Sequence, residues 1–563
     1  LKTEETAKVP LHNDLTVQEL TPYAGRWIAI VDKRVVAQGG TPQQALHAAK
    51  LMRLKEVPQV IYVPTQQPLK FSSHLARVCE AIPNRIPVYL VGGAVRDSFL
   101  SRLSHDLDFA LRVDALGVGR QVADALGGAY YPLDEERETG RVILTEEDGS
   151  RMVLDFALFR GPDLESDLRA RDFTVNAMAV DVRKIDSLLD PLGGLNDLLA
   201  KQLRACTSGT FDDDPVRILR GVRLAADFGF RIHPETIHLM RISAAQLERV
   251  SPERIRDELF RILGGPRPGP SVQALDMLGV LPYLLPELLD LKGVTQSPPH
   301  TADVWTHTIS VMRNLNTVLN VISSEFNPDE SANLAMGMLS ARLGRYRQQV
   351  AEHLDTAFTP DRSLRPLLFL AALFHDIGKP ETRQVDEDGR IRFFEHEQVG
   401  VKKISNQSIN LHLSNEETKR LTTILLHHMR PILLAQSEQG LSRKAVYRFF
   451  RDTKAAGIDI CLLSLADVLG TYGPTLPQNV WRRHLDVVRT LFDAWWDLPE
   501  ETVSPPPLLN GRDLIKEFDL KPGPQIGSLL EALREAQVVG QISDRDTALE
   551  FVRQRIELLD PDE

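Results

Sequence analysis

The stretch Val88-Tyr89-Leu90-Val91-Gly92-Gly93-Ala94-Val95-Arg96-Asp97, followed by His105-Asp106-Leu107-Asp108, decides how this chain is read. Val88-Tyr89-Leu90-Val91 is an apolar strand running into a glycine pair, and the residues from there to Leu100 have the spacing of a helix start. Such a turn lets backbone N–H groups approach a polyphosphate beneath the positive end of a helix. Asp106 and Asp108 stand two apart in a run that continues through Phe109 and Leu111. On a strand they share a face, so both carboxylates can converge on Mg²⁺. A phosphate cradle beside two hard oxygen ligands is what metal-assisted nucleotidyl transfer requires. Either feature alone is ordinary turn or capping chemistry; the ordered combination points to a metal-dependent nucleotide site. Asp155, inside the strand Leu154-Asp155-Phe156-Ala157, is either the third member of a carboxylate triad or a strand-edge acid paired to Arg160 or Arg171.

Outward from this stretch the pattern predicts an α+β chain. Residues 1–20 read as a flexible polar leader, and 21–66 as a small β-hairpin and helix module of unknown role, with Thr41-Pro42 starting its helix. Residues 71–205 alternate helix and strand and form a small α/β head on a mixed sheet. From about 212 strand signals vanish, leaving a mainly helical body over 206–295, 296–500 and a tail at 505–563, with a polar helical insertion near 325–362. A length of 563 residues suits three or four domains, and 43% hydrophobic with 25% charged residues is ordinary for a globular protein. No apolar run approaches the ~20 residues that span a bilayer, and no apolar secretory segment is visible near the start, so no membrane partner is expected. Three widely spaced cysteines fit a reducing cytoplasm and exclude a disulfide framework. The net charge of −11 argues only weakly against nucleic acid, because Arg is dense between 160 and 256 and again in Arg443-Lys444, Arg448 and Arg451.

Further motifs follow in order: Asp167-Leu168-Arg169-Ala170-Arg171-Asp172-Phe173-Thr174, Asp190-Pro191-Leu192-Gly193-Gly194, and Asp213-Asp214-Pro215-Val216-Arg217-Ile218-Leu219-Arg220-Gly221-Val222-Arg223. With these the chain resembles the bacterial class II tRNA nucleotidyltransferase/poly(A) polymerase family, closely over about 86–300. The resemblance implies that Gly92, Gly93 and Arg96 hold a triphosphate, that Asp106 and Asp108 bind the catalytic Mg²⁺, and that Arg171 contacts the nucleotide. It implies that Asp214 and Arg217 read the incoming base, with Arg220 and Arg223 on the same helix side. Independently, positions 217, 220 and 223 step by three and put Arg forks on one helix side, either for phosphate and base edges or as a solvated face. The implied reaction adds C and A residues from CTP and ATP to the CCA end of tRNA without a template; a poly(A) polymerase is the alternative within the family. No protein partner is inferable. Two departures stand out. The family usually has Glu-Asp where this chain has Asp213-Asp214. Enzymes adding the complete CCA end usually carry a longer flexible loop where this chain has only Gly161-Pro162-Asp163-Leu164-Glu165-Ser166, so the resemblance points to CC addition.

A second constellation comprises His307, His375-Asp376 and Asp467, with His396, His427 and His428 as extensions. Its order resembles the HD phosphohydrolase superfamily, placing an HD domain within 296–500 and implying a divalent metal (Mn, Ni, Fe or Mg). A metallophosphohydrolase with an RNA-binding head is therefore the alternative from another class. The segments 508–514 and 523–527 resemble the family's C-terminal region. Arg443, Lys444, Tyr447, Arg448 and Arg451 read either as a surface for tRNA phosphates or as a solvated helix face.

Overall fold

A computed structural model describes the chain apart from residues 1–19, 21–22, 24–25, 40–41, 53–55, 64–70, 72, 103, 146–148, 186, 324–332, 361, 438–439 and 560–563. The expected leader (Leu20 excepted), the Thr41 cap and the first part of the expected insertion lie outside the described residues. The chain divides into two units, Leu1–Gln246 and Leu247–Glu563.

The first unit begins with an antiparallel sheet in the order β2-β1-β3, built from β1 (Arg26–Val31), β2 (Arg34–Gly39) and β3 (Gln59–Val63). Asp32 and Lys33 take positive φ, 47° and 59°, which matches the twist of a two-residue hairpin. The helix Pro42–Leu51 buries Ala45 and Ala49 in the same module.

The head is a seven-stranded mixed sheet of β4 (Val88–Val91), β5 (Asp106–Leu111), β6 (Ala129–Asp134), β7 (Thr139–Thr145), β8 (Arg151–Leu158), β9 (Ala179–Asp181) and β10 (Leu188–Leu189). Its order is β10-β9-β4-β5-β8-β7-β6, and β5/β8 is its parallel pair. Strand alternation sorts the side chains. Leu107 and Phe109 of β5 and Leu154 and Phe156 of β8 are buried on one face, with the Phe109 and Phe156 rings stacked 4.8 Å apart. Asp106, Asp108 and Asp155 take the other face. There Ala110, Val91 and Ala179 pack with Leu168 and Ala177, which roofs part of that face and leaves the acids at its rim.

The helices Arg217–Phe228 and Pro234–Ser243 belong to the first unit, so the boundary at 246/247 falls inside the span 206–295 expected as one helical domain. The reason is packing: Phe211 sits 6.2 Å from Phe173, and Arg217 and Arg220 bond to the 170–172 segment of the head.

In the second unit the helix Ala456–Tyr472 packs along Val304–Val321, and Leu364–Phe374 is buried along its length. Ala456–Thr475 is long and apolar enough to cross a membrane, contrary to the reading that no run approaches that length, but 72% of its apolar window is buried inside the unit. It also carries Asp459 and Asp467, both paired internally, as a core helix of a folded unit does. Strands do persist beyond 212, as short pairs: Ala357–Thr359 with Arg362–Ser363, and Arg383–Val385 with Ile391–Phe393.

The basic stretch near 443–451, expected either as a phosphate surface or as a solvated face, is half-exposed, and several of its residues are engaged in ion pairs. Lys444 and Arg448 pair with Glu535, Arg451 pairs with Glu531 at 2.9 Å, and Tyr447 donates to Glu531 at 3.2 Å. They clamp the helix Arg443–Thr453 to Pro524–Val538, whose apolar side joins Leu509, Leu514 and Val552 in a core of its own.

Candidate functional site

The Gly-Gly turn does what its sequence requires. Gly92 adopts φ 77° and ψ −135°, a conformation essentially reserved for glycine, at the junction of β4 and the helix Gly93–Phe99. A Cβ on Gly92 would stand 3.1 Å from Arg171 Nη1 and 3.3 Å from Asp108 Oδ2. The missing side chain thus lets the turn, a guanidinium and a carboxylate meet. The register aligns Val91 with Asp108 and Asp108 with Asp155, so the two acids face each other across the parallel pair. Asp108 keeps solvent access, yet protein packs densely around it. Burial pushes its carboxyl above the ordinary range, Arg171 pulls it back, and Asp155 and Asp106 push it up again. A divalent cation relieves that crowding of negative charge, which is the electrostatic signature expected of a metal-binding pair.

Asp155 is paired, but to neither expected arginine. Its carboxylate receives Arg141 Nε and Nη2, each at 2.8 Å, from the directly opposing position of β7. Sequence reading missed Arg141; the available signal was a cation at an alternating position of a strand bordering an acidic one.

Arg171 is aimed by Asp167, which accepts its Nε and Nη2 at 3.2 and 3.0 Å and also caps the Arg160 amide at 3.1 Å. Asp172 receives Arg220 at 3.1 and 2.9 Å, the Asn176 amide at 3.1 Å and the Phe173 N–H at 2.8 Å. Burial opposes its charge, but Arg220 and these donors hold its pKa below the usual carboxylate range. Gly194 approaches the Thr174 carbonyl so closely that a Cβ would lie 2.1 Å from the oxygen, and Asp190 caps the Gly194 and Leu195 amides. The Asp190–Gly194 motif therefore fixes the 171–176 segment in place.

Other candidates are engaged structurally. Arg96 is buried, donates to Asn176 Oδ1 at 2.6 Å and Asp97 Oδ1 at 2.8 Å, and lies 4.2 Å over the Phe228 ring. Arg217 is buried and donates to the carbonyls of Ala170 (2.9 Å), Thr210 (3.3 Å) and Arg171 (3.4 Å). Arg223 pairs with Asp227 at 3.3 Å on its own helix. Asp214 follows the short helix Thr210–Asp213 and precedes Arg217, in extended backbone. The connection after β8 is short and shaped: Asp163 accepts the Ser166 N–H at 2.8 Å and starts the helix Leu164–Arg169.

In the second unit the folded chain gathers His307, His375, Asp376, His396 and His428, all buried. His307, His375 and Asp376 form one group of donors within 4.8 Å of one another, and Asp376, His396 and His428 form another. Asp467 Oδ1 lies 3.1 Å from His307 Nε2. His428 joins this cluster, whereas its neighbour His427 is not in either donor group and faces Arg430 and Asp452 electrostatically. Burial disfavours a charged His375, but Asp376 outweighs it and raises its pKa. His375 and Lys379 in turn hold Asp376 well below the usual range against the cost of burial. Lys379 Nζ stands 2.7 Å from Asp376 Oδ2 and 2.7 Å from Gln296 Oε1. Imidazoles and a carboxylate converging in a buried pocket fit a first-row divalent ion such as Mn²⁺, Fe²⁺ or Ni²⁺.

Residues 88–204 match the family model described as the poly A polymerase head domain. Residues 229–291 match the probable RNA and SrmB-binding site of polymerase A, 334–471 the HD domain, and 502–552 a putative tRNA nucleotidyltransferase domain 2. Residues 18–66 match a family of unknown function. The A-adding tRNA nucleotidyltransferase of Deinococcus radiodurans is 32% identical over 470 residues, covering 82% of this chain and 94% of that protein. The chain belongs to the class II tRNA nucleotidyltransferase family. The CC-adding tRNA nucleotidyltransferase of Geobacter sulfurreducens is also 32% identical, over 83% of this chain and 91% of its own. The fold is similar to that of a CCA-adding enzyme solved with CTP, at TM-score 0.56 and 21% identity, covering 86% of this chain and 95% of that one. As a member of this family the chain is a nucleotidyltransferase that works with a divalent metal. His307 lies ahead of the segment matched by the HD model, and the fold brings it into the cluster with His375 and Asp376.

Proposed function

We propose that this nucleotidyltransferase extends the 3′ end of tRNA without a template, from CTP and with Mg²⁺ at Asp106 and Asp108, and that it acts in the cytoplasm. The observation that carries the site assignment is the meeting of Asp108, Gly92 and Arg171 at the β4 turn, with Asp106 on the same face of β5. A divalent cation held by Asp106 and Asp108 neutralises phosphate charge and lowers the pKa of the attacking hydroxyl. Arg171, aimed by Asp167, meets the triphosphate beside the Gly92-Gly93 turn. Asp155, tied to Arg141, sets the charge on the flank of the pair. Asp214 and Arg217 read the base edge; two of Arg217's three bonds are long, 3.3 and 3.4 Å, so exchanging them for a base costs little. Arg96, with Asn176, Asp97 and Phe228, holds the turn in shape. Arg220 and Arg223 support the 172 segment and the helix that carries the reader.

The short, Asp163-capped connection supports addition that stops after the second C. The test offers tRNA ending at the discriminator base, at C, or at CC, with CTP and ATP separately. CTP should extend the first two, and ATP should leave the CC end unextended. Efficient A addition to the CC end would overturn the CC assignment while leaving the transferase reading intact.

The buried His/Asp cluster supports a second activity, hydrolysis of a phosphate ester in the HD domain. It is tested by hydrolysis of a chromogenic phosphomonoester and of 2′,3′-cyclic nucleotides by the metal-loaded protein.

A further inference from the structure

The face of the head sheet that bears the acids continues beyond them. Asp108 of β5, Asp155 of β8, Arg141 of β7 and Tyr131 of β6 stand directly opposite one another from strand to strand. Opposed residues share a face, so this row runs outward from the proposed metal ligands to the edge of the sheet. At about 4.8 Å per strand, the Tyr131 backbone lies about 14 Å from that of Asp108. The other face of these strands is packed, with Val142, Leu144, Met152, Leu154 and Phe156 buried. The face that bears the row is open. Ile143 and Val153 are only half-buried, Arg141 keeps 39% of its side-chain surface and Tyr131 52% of its own. Pro132 makes β6 a poor template for a further strand, so another polypeptide edge is not what this face is shaped to take.

We infer that Tyr131 and Arg141 form the track on which the RNA acceptor strand lies. The ring of Tyr131 stacks on the unpaired base next behind the reacting 3′ end, and Arg141 contacts the phosphate ahead of it. Both are positioning residues, and the inference rests on the transferase reading above and deepens it. The direction of the reaction selects this side. Gly92 and Arg171 meet Asp108 from the β4 side, where that reading seats the triphosphate. Displacement at the α-phosphate runs in line, so the attacking hydroxyl enters opposite the departing pyrophosphate. The acceptor then arrives from the β8 side, over Asp155, Arg141 and Tyr131. Arg141 is prepared for an anion. Its Nε and Nη2 each donate to Asp155 at 2.8 Å, while Nη1 has no hydrogen-bond partner among the described residues. A guanidinium pinned along one edge offers its outer N–H groups to a phosphate with little freedom left to lose. Tyr131 supplies a flat apolar face, and single-stranded RNA ends stack on such rings whatever their sequence.

The experiment measures steady-state incorporation by the full chain on tRNA ending at C with CTP, or at CC with ATP, whichever the wild type extends. Tyr131→Ala should raise KM for tRNA about tenfold or more, the loss of one stacked base. KM for the nucleotide and kcat at saturating tRNA should stay within about twofold, since the reacting groups are untouched. Tyr131→Phe should restore the wild-type KM, because the ring and not the hydroxyl makes the contact. An unchanged KM for tRNA in Tyr131→Ala, or a loss that Tyr131→Phe does not restore, would overturn the inference. Arg141→Gln should lower the slope of log affinity for tRNA against log salt by about 1, the loss of one phosphate contact; an unchanged slope would remove Arg141 from the track. A binding measurement needs no turnover. tRNA ending at C, with 2-aminopurine as its next-to-last base, should be quenched by wild type and by Tyr131→Phe but not by Tyr131→Ala. Equal quenching by all three would overturn the track. The two readings fail separately: a wild type that extends neither end refutes the transferase site, and the quenching still decides the track.

Discussion

Replacing Gly92 by Ala tests whether the turn is the hinge on which the transferase site depends. At φ 77° and ψ −135° an alanine sits in a region that costs about 1–3 kcal/mol for a residue with a Cβ. The methyl would lie 3.1 Å from Arg171 Nη1 and 3.3 Å from Asp108 Oδ2, so both must retreat by a few tenths of an ångström. Misplacing reacting groups by ~1 Å costs about 100-fold, so a displacement of this size predicts about a 10- to 100-fold fall in kcat/KM. That corresponds to about 1.4–2.7 kcal/mol of transition-state stabilisation. The neighbouring position is the control: a Cβ on Gly93 meets only Arg96 Nη2, at an ordinary 3.6 Å. CTP incorporation into tRNA lacking its 3′ end should therefore fall steeply in Gly92→Ala and within about threefold in Gly93→Ala, a difference of under ~1 kcal/mol for the latter. Fluorescence-monitored unfolding should show the larger destabilisation in Gly92→Ala as well. Wild-type activity in Gly92→Ala, or an equal loss in both variants, would refute the argument that this backbone position brings Asp108 and Arg171 together.

Asp106→Asn and Asp108→Asn should each lower incorporation by about 1,000-fold or more, because they remove charge that stabilises the transition state, while metal binding in the HD domain persists; retained incorporation would sink the site assignment. Arg141→Gln should cost only about 0.5–1 kcal/mol, since Arg141 is partly exposed, yet it should change the Mg²⁺ concentration that gives half-maximal rate by freeing the Asp155 carboxylate. Asp172→Asn should destabilise the first unit by about 2–3 kcal/mol at neutral pH by leaving Arg220 without its carboxylate partner. The folded pKa of Asp172 is depressed, so its contribution is complete above the unfolded value near 4 and is lost as pH falls through the folded one. The acid limb of stability below about pH 4 should accordingly be shallower in Asp172→Asn than in wild type; identical acid limbs would show that Asp172 is not a stabilising charge.

Some of this protein is written locally and was legible in the chain. Asp106 and Asp108 share a face because strand side chains alternate with period two, whatever lies around them. Gly92 announces a turn that only glycine makes easily, and the order of the later motifs identified the family. The fate of the arginines was not local. Whether Arg96, Arg171 or Arg217 is free for a ligand depends on Asn176, Asp167 and the carbonyls of 170 and 171, which chain folding alone brings alongside. The same holds for Asp155, whose partner Arg141 is fixed by the β7/β8 register, and for Lys444, Arg448 and Arg451, paired with Glu531 and Glu535 far along the chain. In the HD cluster the sequence supplied the ligand types, and helix phase decided that His428, not His427, points inward. Tertiary structure alone set His307 and His375 at one oxygen of Asp376 and His396 at the other, because separate helices carry these residues and only folding brings their ends together.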